Sequence, residues 1–433
     1  MSSTVPPPDD GRILPPKEAL LAAESGGGTP RATDAPALER PRRGSPAFRR
    51  TTLALFAAGF STFGLLYCVQ PLMPVIGREF GLNAAASSLI LSLSTALLAA
   101  GLIFTGPISD ATGRKPIMLI ALTAAALATI ASALMPTWHG VLVMRALVGI
   151  SLSGLVAVAM TYLSEEIHPE SLGWAMGLYI GGNAIGGMCG RLVVGVVVAF
   201  VSWRAALVSM GVIGLGTALL FWRLAPPSRY FVPTPLKLET LREGFLLHLR
   251  DAGLPWLFLE GFLLLGSFVT LFNYISYRLL AEPYHLSQAV VGSISAVYLT
   301  GIYSSARVGA LADKLGRRRV LWAVIAIMLG GLLLTLLSPL AVVLVGMLVF
   351  SFGFFGAHSV ASSWIGRRAR RARGQASSLY LLSYYLGGSI AGTGGGYFWH
   401  LAGWTGVGLF IASLLTVALL VALKLTRLPP LQT

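Results

Sequence analysis

From Thr52 onward the chain is a succession of long apolar runs separated by short polar turns, with no regular alternation of apolar and polar positions inside the runs. Crossing a hydrocarbon core about 30 Å thick takes roughly 20 apolar residues of helix. Twelve runs near that length begin close to Thr52, Ala85, Ile117, Val141, Gly173, Ala205, Leu254, Ala289, Val320, Leu340, Gly374 and Gly406. Backbone groups in lipid have to be satisfied inside helices or a closed barrel, and runs this continuous are not the alternating strands of a barrel. The pattern predicts an all-α polytopic membrane protein with twelve transmembrane helices.

The runs fall into two sets. Gly106-Pro107-Ile108-Ser109-Asp110-Ala111-Thr112-Gly113-Arg114-Lys115 follows the second run, and Gly309-Ala310-Leu311-Ala312-Asp313-Lys314-Leu315-Gly316-Arg317-Arg318-Arg319 follows the eighth with the same spacing of glycine, aspartate, glycine and arginine. Gly173-Trp174-Ala175, Leu178-Tyr179 and Gly186-Gly187 in the fifth run are echoed by Gly374-Gln375-Ala376, Leu379-Tyr380 and Gly387-Gly388 in the eleventh. The duplication predicts two six-helix halves, 51–223 and 254–425, the plan of an alternating-access carrier. A cytoplasmic linker, 224–253, separates them. In it Thr234 reads as an N-cap, Pro235 as the first helical position, and Leu238, Leu241, Phe245 and Leu249 as the apolar stripe of a surface helix. Residues 1–50, with Pro6 to Pro8 and Gly26 to Gly28, have no apolar face to bury and read as a disordered cytoplasmic tail; 426–433 form a short cytoplasmic tail.

Composition agrees with this plan: 55% of the 433 residues are hydrophobic and 11% charged, which excludes an ordinary soluble domain. The net charge of +15 does not point to nucleic acid, because the basic residues sit at one end of the helices. Arg42, Arg43, Arg49, Arg50, Arg114, Lys115, Arg229, Arg250, Lys314, Arg317 to Arg319 and the cluster Arg367 to Arg373 mark that end, against Arg78, Arg204 and Arg278 at the other, so the positive-inside rule places both termini in the cytoplasm. The first run is long and starts late, as in an uncleaved anchor rather than a signal peptide. Cys68 and Cys189 lie inside apolar runs and read as packing residues, with no disulfide or metal framework.

The region from Thr52 to Leu425 resembles the major facilitator superfamily, and the Gly106–Lys115 turn is similar to its signature loop. Tyr67-Cys68-Val69-Gln70-Pro71, Met160 to Pro169 and Ala357 to Trp364 resemble a narrower group of bacterial inner-membrane transporters within the drug:proton antiporter branch. The resemblance implies the major facilitator fold, a monomer that rocks its halves about a central cavity, and a proton gradient as energy source with no cofactor. It also implies a coupling role for Arg145, which is followed by Gly149. For the duplicated turns it implies a conformational latch made of Gly106, Asp110, Gly113 and Arg114 with Gly309, Asp313, Gly316 and Arg317, carried mainly by the first copy.

Inside the membrane, ionisable residues carry the most information, because a charge there costs a few kcal/mol or more. Of 17 acidic residues only Glu260 lies well inside a run, and His358 is the sole histidine inside one, at a similar depth. A carboxyl and an imidazole at one depth suit proton transfer; local hydrogen bonding and packing are the alternative for each. Arg145 and Arg191 have no acidic residue at their depth in the first half. Facing a cavity they would favour an anionic or polyhydroxylated solute over a permanent cation; otherwise they bond backbone carbonyls or snorkel. Gln70, Asn183, Asn273, Tyr274 and Tyr277 are further candidates to line the cavity. In the fifth run Gly173, Gly177 and Gly181 form one small ridge, and Gly182, Gly186 and Gly190, with Gly187 beside them, form another on which a helix can pack.

No Gly-x-x-x-x-Gly-Lys-Ser/Thr loop is present for a primary pump, and no clustered nucleophile or acid–base set suggests an enzyme. The sequence thus predicts a secondary active transporter moving a small molecule across a bacterial inner membrane by proton-coupled efflux. Proton symport or facilitated uptake of a sugar or organic acid is the alternative the same fold allows, and a transport-dead sensor a more distant one.

Overall fold

The computed structural model describes residues 40–231, 233 and 238–428. Among the described residues eleven helices are long and apolar enough to span a membrane, and the last of them, Arg373–Thr426, is two crossings. Ala402 (φ −149°, ψ 27°) and Gly403 (φ 53°, ψ −138°) interrupt it, and Phe398 stacks on Phe410 at 4.5 Å between ring centres, which requires the chain to reverse between them. Twelve crossings result, with both described ends of the chain at one face, called here the terminal end; the opposite face is the far end.

Local chemistry explains where the crossings start. At the far end Asn83, Thr137, Ser202 and Ser287 cap the second, fourth, sixth and eighth crossings by accepting from the N–H of Ala86, Gly140, Ala205 and Val290, each satisfying a donor the helix cannot. At the terminal end the third and ninth crossings begin without a side-chain cap, after Gly113 (φ 105°) and Gly316 (φ 88°), a conformation glycine adopts without penalty. Gly106, the first glycine of the duplicated motif, sits inside the second crossing, Ala84–Thr112, with open space at its Cα, and Gly309 is likewise helical. The helix runs on to Thr112, past the end of the apolar run.

Three crossings are broken. The first stops at Tyr67, passes through a 3-10 turn at Gln70–Leu72 and resumes over Met73–Phe80; Pro71 and Pro74 lack the N–H groups that would continue it. The fourth breaks after Val156 and resumes at Ala159. In the eighth, Gln288–Ser293 and Leu299–Leu315 are joined by a 3-10 stretch, Ile294–Tyr298.

Glycine positions set how closely the helices approach. Gly182, Gly186 and Gly190 of the fifth crossing lie on the backbone of Phe56, Phe60 and Gly64 of the first, and Gly387 of the eleventh lies on the backbone of Phe262 in the seventh, the same contact in the second half. The companion ridge of Gly173, Gly177 and Gly181 packs on nothing within 4 Å. Between the halves, Gly195 meets Gly292 and Gly396 meets Ala85, again equivalent positions in the two repeats. Among the described residues every inter-half hydrogen bond lies in the far part of the bundle: Gln70 to Asn273, Ser87 to Tyr277, Ser88 to Thr393, Ser295 to Met188 and Ser389 to Ser92. These bonds seal the halves together at the far end. Large apolar side chains such as Phe104, Ile120, Leu127 and Phe200 stay exposed on the outside, where lipid covers them.

Two expectations on the connecting segments change. Residues 40–50 belong to the folded part rather than to a disordered tail: Pro41 accepts from the N–H of His168, Arg43 N–H donates to Ser171 Oγ at 2.9 Å, its guanidinium lies over Trp174 at 4.2 Å, and the first helix starts at Pro46. Residues 1–39 and 429–433, Thr234 with Pro235, and the side chains of Leu238 and Leu241 lie outside the described residues. The linker helix Leu238–Leu249 is present, but it docks on the second half through the buried His248, 3.1 Å from the Ala372 carbonyl, while Leu246, Leu247 and Leu249 are exposed. Just beyond it, burial alone would raise the Asp251 carboxyl, yet the bond from Arg368 Nε at 2.5 Å and those from the N–H of Gly253 and Leu254 hold it below the usual carboxylate range.

Candidate functional site

The break in the first crossing creates a problem that Arg145 solves. Ending a helix inside the membrane bares its last carbonyls. Arg145, wholly buried on the fourth crossing, donates Nη1 to Leu65 O at 3.1 Å, Nη2 to Leu66 O at 2.8 Å and Nε to Ile90 O at 3.3 Å. A cation on the carbonyl end of a helix also meets the favourable end of its dipole. In this conformation the Arg145 guanidinium is spent on backbone. This geometry is the one that the carbonyl-bonding alternative describes.

Arg191 is different. It is buried on the fifth crossing, donates Nη1 to Gly187 O at 2.5 Å, and turns both Nε (2.7 Å) and Nη2 to one atom, Gln70 Oε1. Gln70 sits at the break of the first crossing, and its Nε2 donates to Asn273 Oδ1 of the seventh at 2.7 Å. The amide orientations follow from the arginine: it can only donate, so Gln70 must show it the oxygen, Asn273 must show Gln70 its oxygen, and Asn273 Nδ2 is left over. That nitrogen is buried without a partner, as is the hydroxyl of Tyr298. The rings of Tyr298, Tyr67 and Phe272 surround the guanidinium at 4.5, 4.9 and 6.0 Å. Among the described residues neither Arg145 nor Arg191 is in an ion pair. A cavity of ≈ 20 Å³ beside Gln70 and Arg191, lined also by Ser276 and Ser295, has the room of about one water.

A second polar group lies deeper toward the terminal end, in the other half. Glu260 of the seventh crossing is fully buried and neither carboxyl oxygen has a hydrogen-bond partner. It lies within electrostatic reach of Tyr380 on the eleventh crossing, whose hydroxyl is 2.9 Å from His358 Nδ1 on the tenth. His358 also packs against the ring of Tyr384 at 4.6 Å. Sequence depth placed Glu260 near His358; the structure supplies the residue between them. Tyr380 could have been singled out only through its place in the repeat, as the counterpart of Tyr179.

The remaining candidates divide. Tyr277 joins the far-end seal through Ser87 Oγ at 2.6 Å, whereas Tyr274 donates to Gly392 O at 2.7 Å and ties the seventh crossing to the eleventh within one half. Asn183 is half-buried against Gly59 on the first crossing, away from Gln70. The duplicated turns are closed inside their own halves. Arg114 bonds Asp110 and, at 2.7 Å, Glu165. In the second copy Asp313 receives Arg317 at 2.6 Å and Arg367 at 3.0 Å.

Two six-helix repeats sealed at one face, with broken helices and unneutralised polar groups between them, define a secondary transporter built for alternating access. The sequence matches the Major Facilitator Superfamily over residues 55–392 and 257–433, and the chain belongs to that superfamily. It is 59% identical over 399 residues to the inner membrane transport protein YnfM of Escherichia coli K12, covering 91% of this chain and 96% of that protein. It is 50% identical over 385 residues to the uncharacterized transporter YybF of Bacillus subtilis 168, covering 89% and 94%. Among solved structures, a bacterial homolog of the human lysosomal transporter Spinster superposes with a TM-score of 0.72 at 16% identity, over 88% of this chain and 98% of that one. The human organic anion transporter MFSD10 gives 0.67 at 18% identity, over 87% and 100%. The chain is therefore a transporter of that superfamily.

Proposed function

We propose that the protein is a monomeric, proton-coupled antiporter of a bacterial inner membrane, exporting a small molecule, with both termini in the cytoplasm. The basic residues gathered at the terminal end support that orientation, and the name of the Escherichia coli relative supports the compartment. With the far end sealed, this conformation opens toward the cytoplasm, where cargo for export loads. The observation that carries the coupling is Glu260, buried with neither oxygen bonded and next to the Tyr380–His358 pair. An unpaired carboxylate in such a place costs several kcal/mol, so the group holds a proton in this state. It loses that proton when alternation wets the site, with Tyr380 and His358 as the adjacent relay.

The test is flux in proteoliposomes with an imposed pH gradient, using a substrate found by comparing deletion and overexpression strains across toxic compounds, sugars and acids. Glu260→Gln is expected to abolish gradient-driven accumulation while substrate exchange at equal pH continues, and His358→Ala to shift the pH dependence. A Glu260→Gln carrier that still concentrates substrate removes the carboxyl from the mechanism.

A further inference from the structure

Arg191 presents a combination that packing does not require: a buried cation with no anion beside it, its guanidinium fork closed on a single neutral oxygen, and two spare buried donors close by. Two polar atoms left without a partner in this network, Asn273 Nδ2 and the Tyr298 hydroxyl, can donate. Such a set is complementary to a carboxylate. A carboxylate offers two oxygens to the fork and neutralises its charge, and charge-assisted bidentate bonds are roughly twice as strong as neutral ones. Gln70 now fills that place with one oxygen and no charge. Its other end is the inter-half bond to Asn273. The two crossings beside Arg191 are also those broken by 3-10 turns, at Gln70–Leu72 and Ile294–Tyr298, the local geometry that marks hinges.

We propose that Arg191 is the carboxylate-binding residue of the substrate site and that Gln70 holds its fork as an internal substitute. A bound organic acid then displaces Gln70, breaks the bond to Asn273 and loosens the far-end seal. Substrate recognition and opening are thereby linked through one side chain, Gln70. The ≈ 20 Å³ cavity is too small for an organic acid, so binding and opening have to proceed together. The aromatic faces of Tyr67, Phe272 and Tyr298 suit an acid with an apolar or aromatic body. Arg145, already spent on backbone carbonyls, takes no part.

This inference rests on the transport reading but not on proton coupling, and both of its readouts are taken without a pH gradient. In the first, melting of the purified full-length protein is followed with benzoate, glucose and tetraethylammonium as probes. Benzoate alone is expected to stabilise the wild type. Gln70→Glu, which tethers a carboxylate at the fork, and Arg191→Gln are expected to weaken benzoate binding about tenfold or more, and Arg191→Lys to leave a weak response. Gln70→Ala, which removes the competitor, is expected to tighten it, a change of sign that misfolding cannot imitate. In the second, Ser276→Cys in a Cys68→Ala, Cys189→Ala background is labelled from outside with a membrane-impermeant maleimide, and benzoate is expected to speed labelling unless Gln70→Glu is also present. No benzoate response in the wild type, an unchanged response in Gln70→Glu and Gln70→Ala, or equal stabilisation by tetraethylammonium would overturn the proposal. Loss of proton-driven flux in Glu260→Gln bears only on the coupling.

Discussion

At the scale of single residues, two arginines that look alike in sequence do opposite work. Both are buried, both lack a carboxylate, and they sit at comparable depth, yet Arg145 spends its donors on the carbonyls bared at the end of the first helix and Arg191 spends two on a replaceable side chain. The difference makes a separable expectation. Arg145→Ala leaves Leu65, Leu66 and Ile90 carbonyls bare in a dry site, at about 1–3 kcal/mol for each, so its melting temperature and membrane yield should fall sharply. Arg145→Lys should recover part of the loss, since an ammonium can still reach one or two carbonyls. Thermal melts with a fluorescent size-exclusion readout measure this directly, and an Arg145→Ala protein as stable as the wild type would remove the capping role.

At the scale of elements, the small ridges were legible as ridges but not as contacts. Two glycine series run along the fifth helix at four-residue spacing, and only one touches anything: Gly182, Gly186 and Gly190 rest on the first helix, while Gly173, Gly177 and Gly181 face open space. Gly186→Ala and Gly387→Ala put a methyl group on the backbone of Phe60 and Phe262. Each is expected to cost about 1–3 kcal/mol by overpacking, or to spread the helices. Gly177→Ala meets nothing and should lie within about 0.5 kcal/mol of the wild type. Denaturation midpoints for the three variants in one detergent decide, and equal effects would contradict the packing assignment. The broken helices teach the same lesson. Pro71 and Pro74 announce a break in the first crossing, but the 3-10 stretch at Ile294–Tyr298 contains neither glycine nor proline, and its own sequence gives no sign of it.

For the molecule as a whole, the question is how one end opens as the other closes. In the conformation described, the duplicated turns hold only their own halves, Asp110 through Arg114 and Asp313 through Arg317 and Arg367. Closing the terminal end would bring these aspartates toward the opposite half, where exchange of partners can latch it. Asp110→Asn is therefore expected to slow turnover several-fold without loss of folded protein, and Asp313→Asn to do less, as initial rates of exchange in proteoliposomes would show. Equal rates in the wild type and Asp110→Asn count against a latch.

The amino-acid sequence by itself determined the class of this protein, because membrane thickness imposes run lengths, lipid forbids unpaired backbone, and a duplication leaves matching residues at matching offsets. Twelve crossings, the six-plus-six division and the short set of buried polar residues all follow from those constraints. Only the tertiary structure decided which of these residues meet. Gln70, Arg191 and Asn273 are separated by 121 and 82 positions along the chain, and Tyr380 stands near Glu260 only because the seventh and eleventh helices pack on glycine. Depth in the membrane is written in one dimension, but the face a side chain turns, and whether its donors meet backbone or another side chain, depend on helix rotation and helix breaks that neighbouring helices impose.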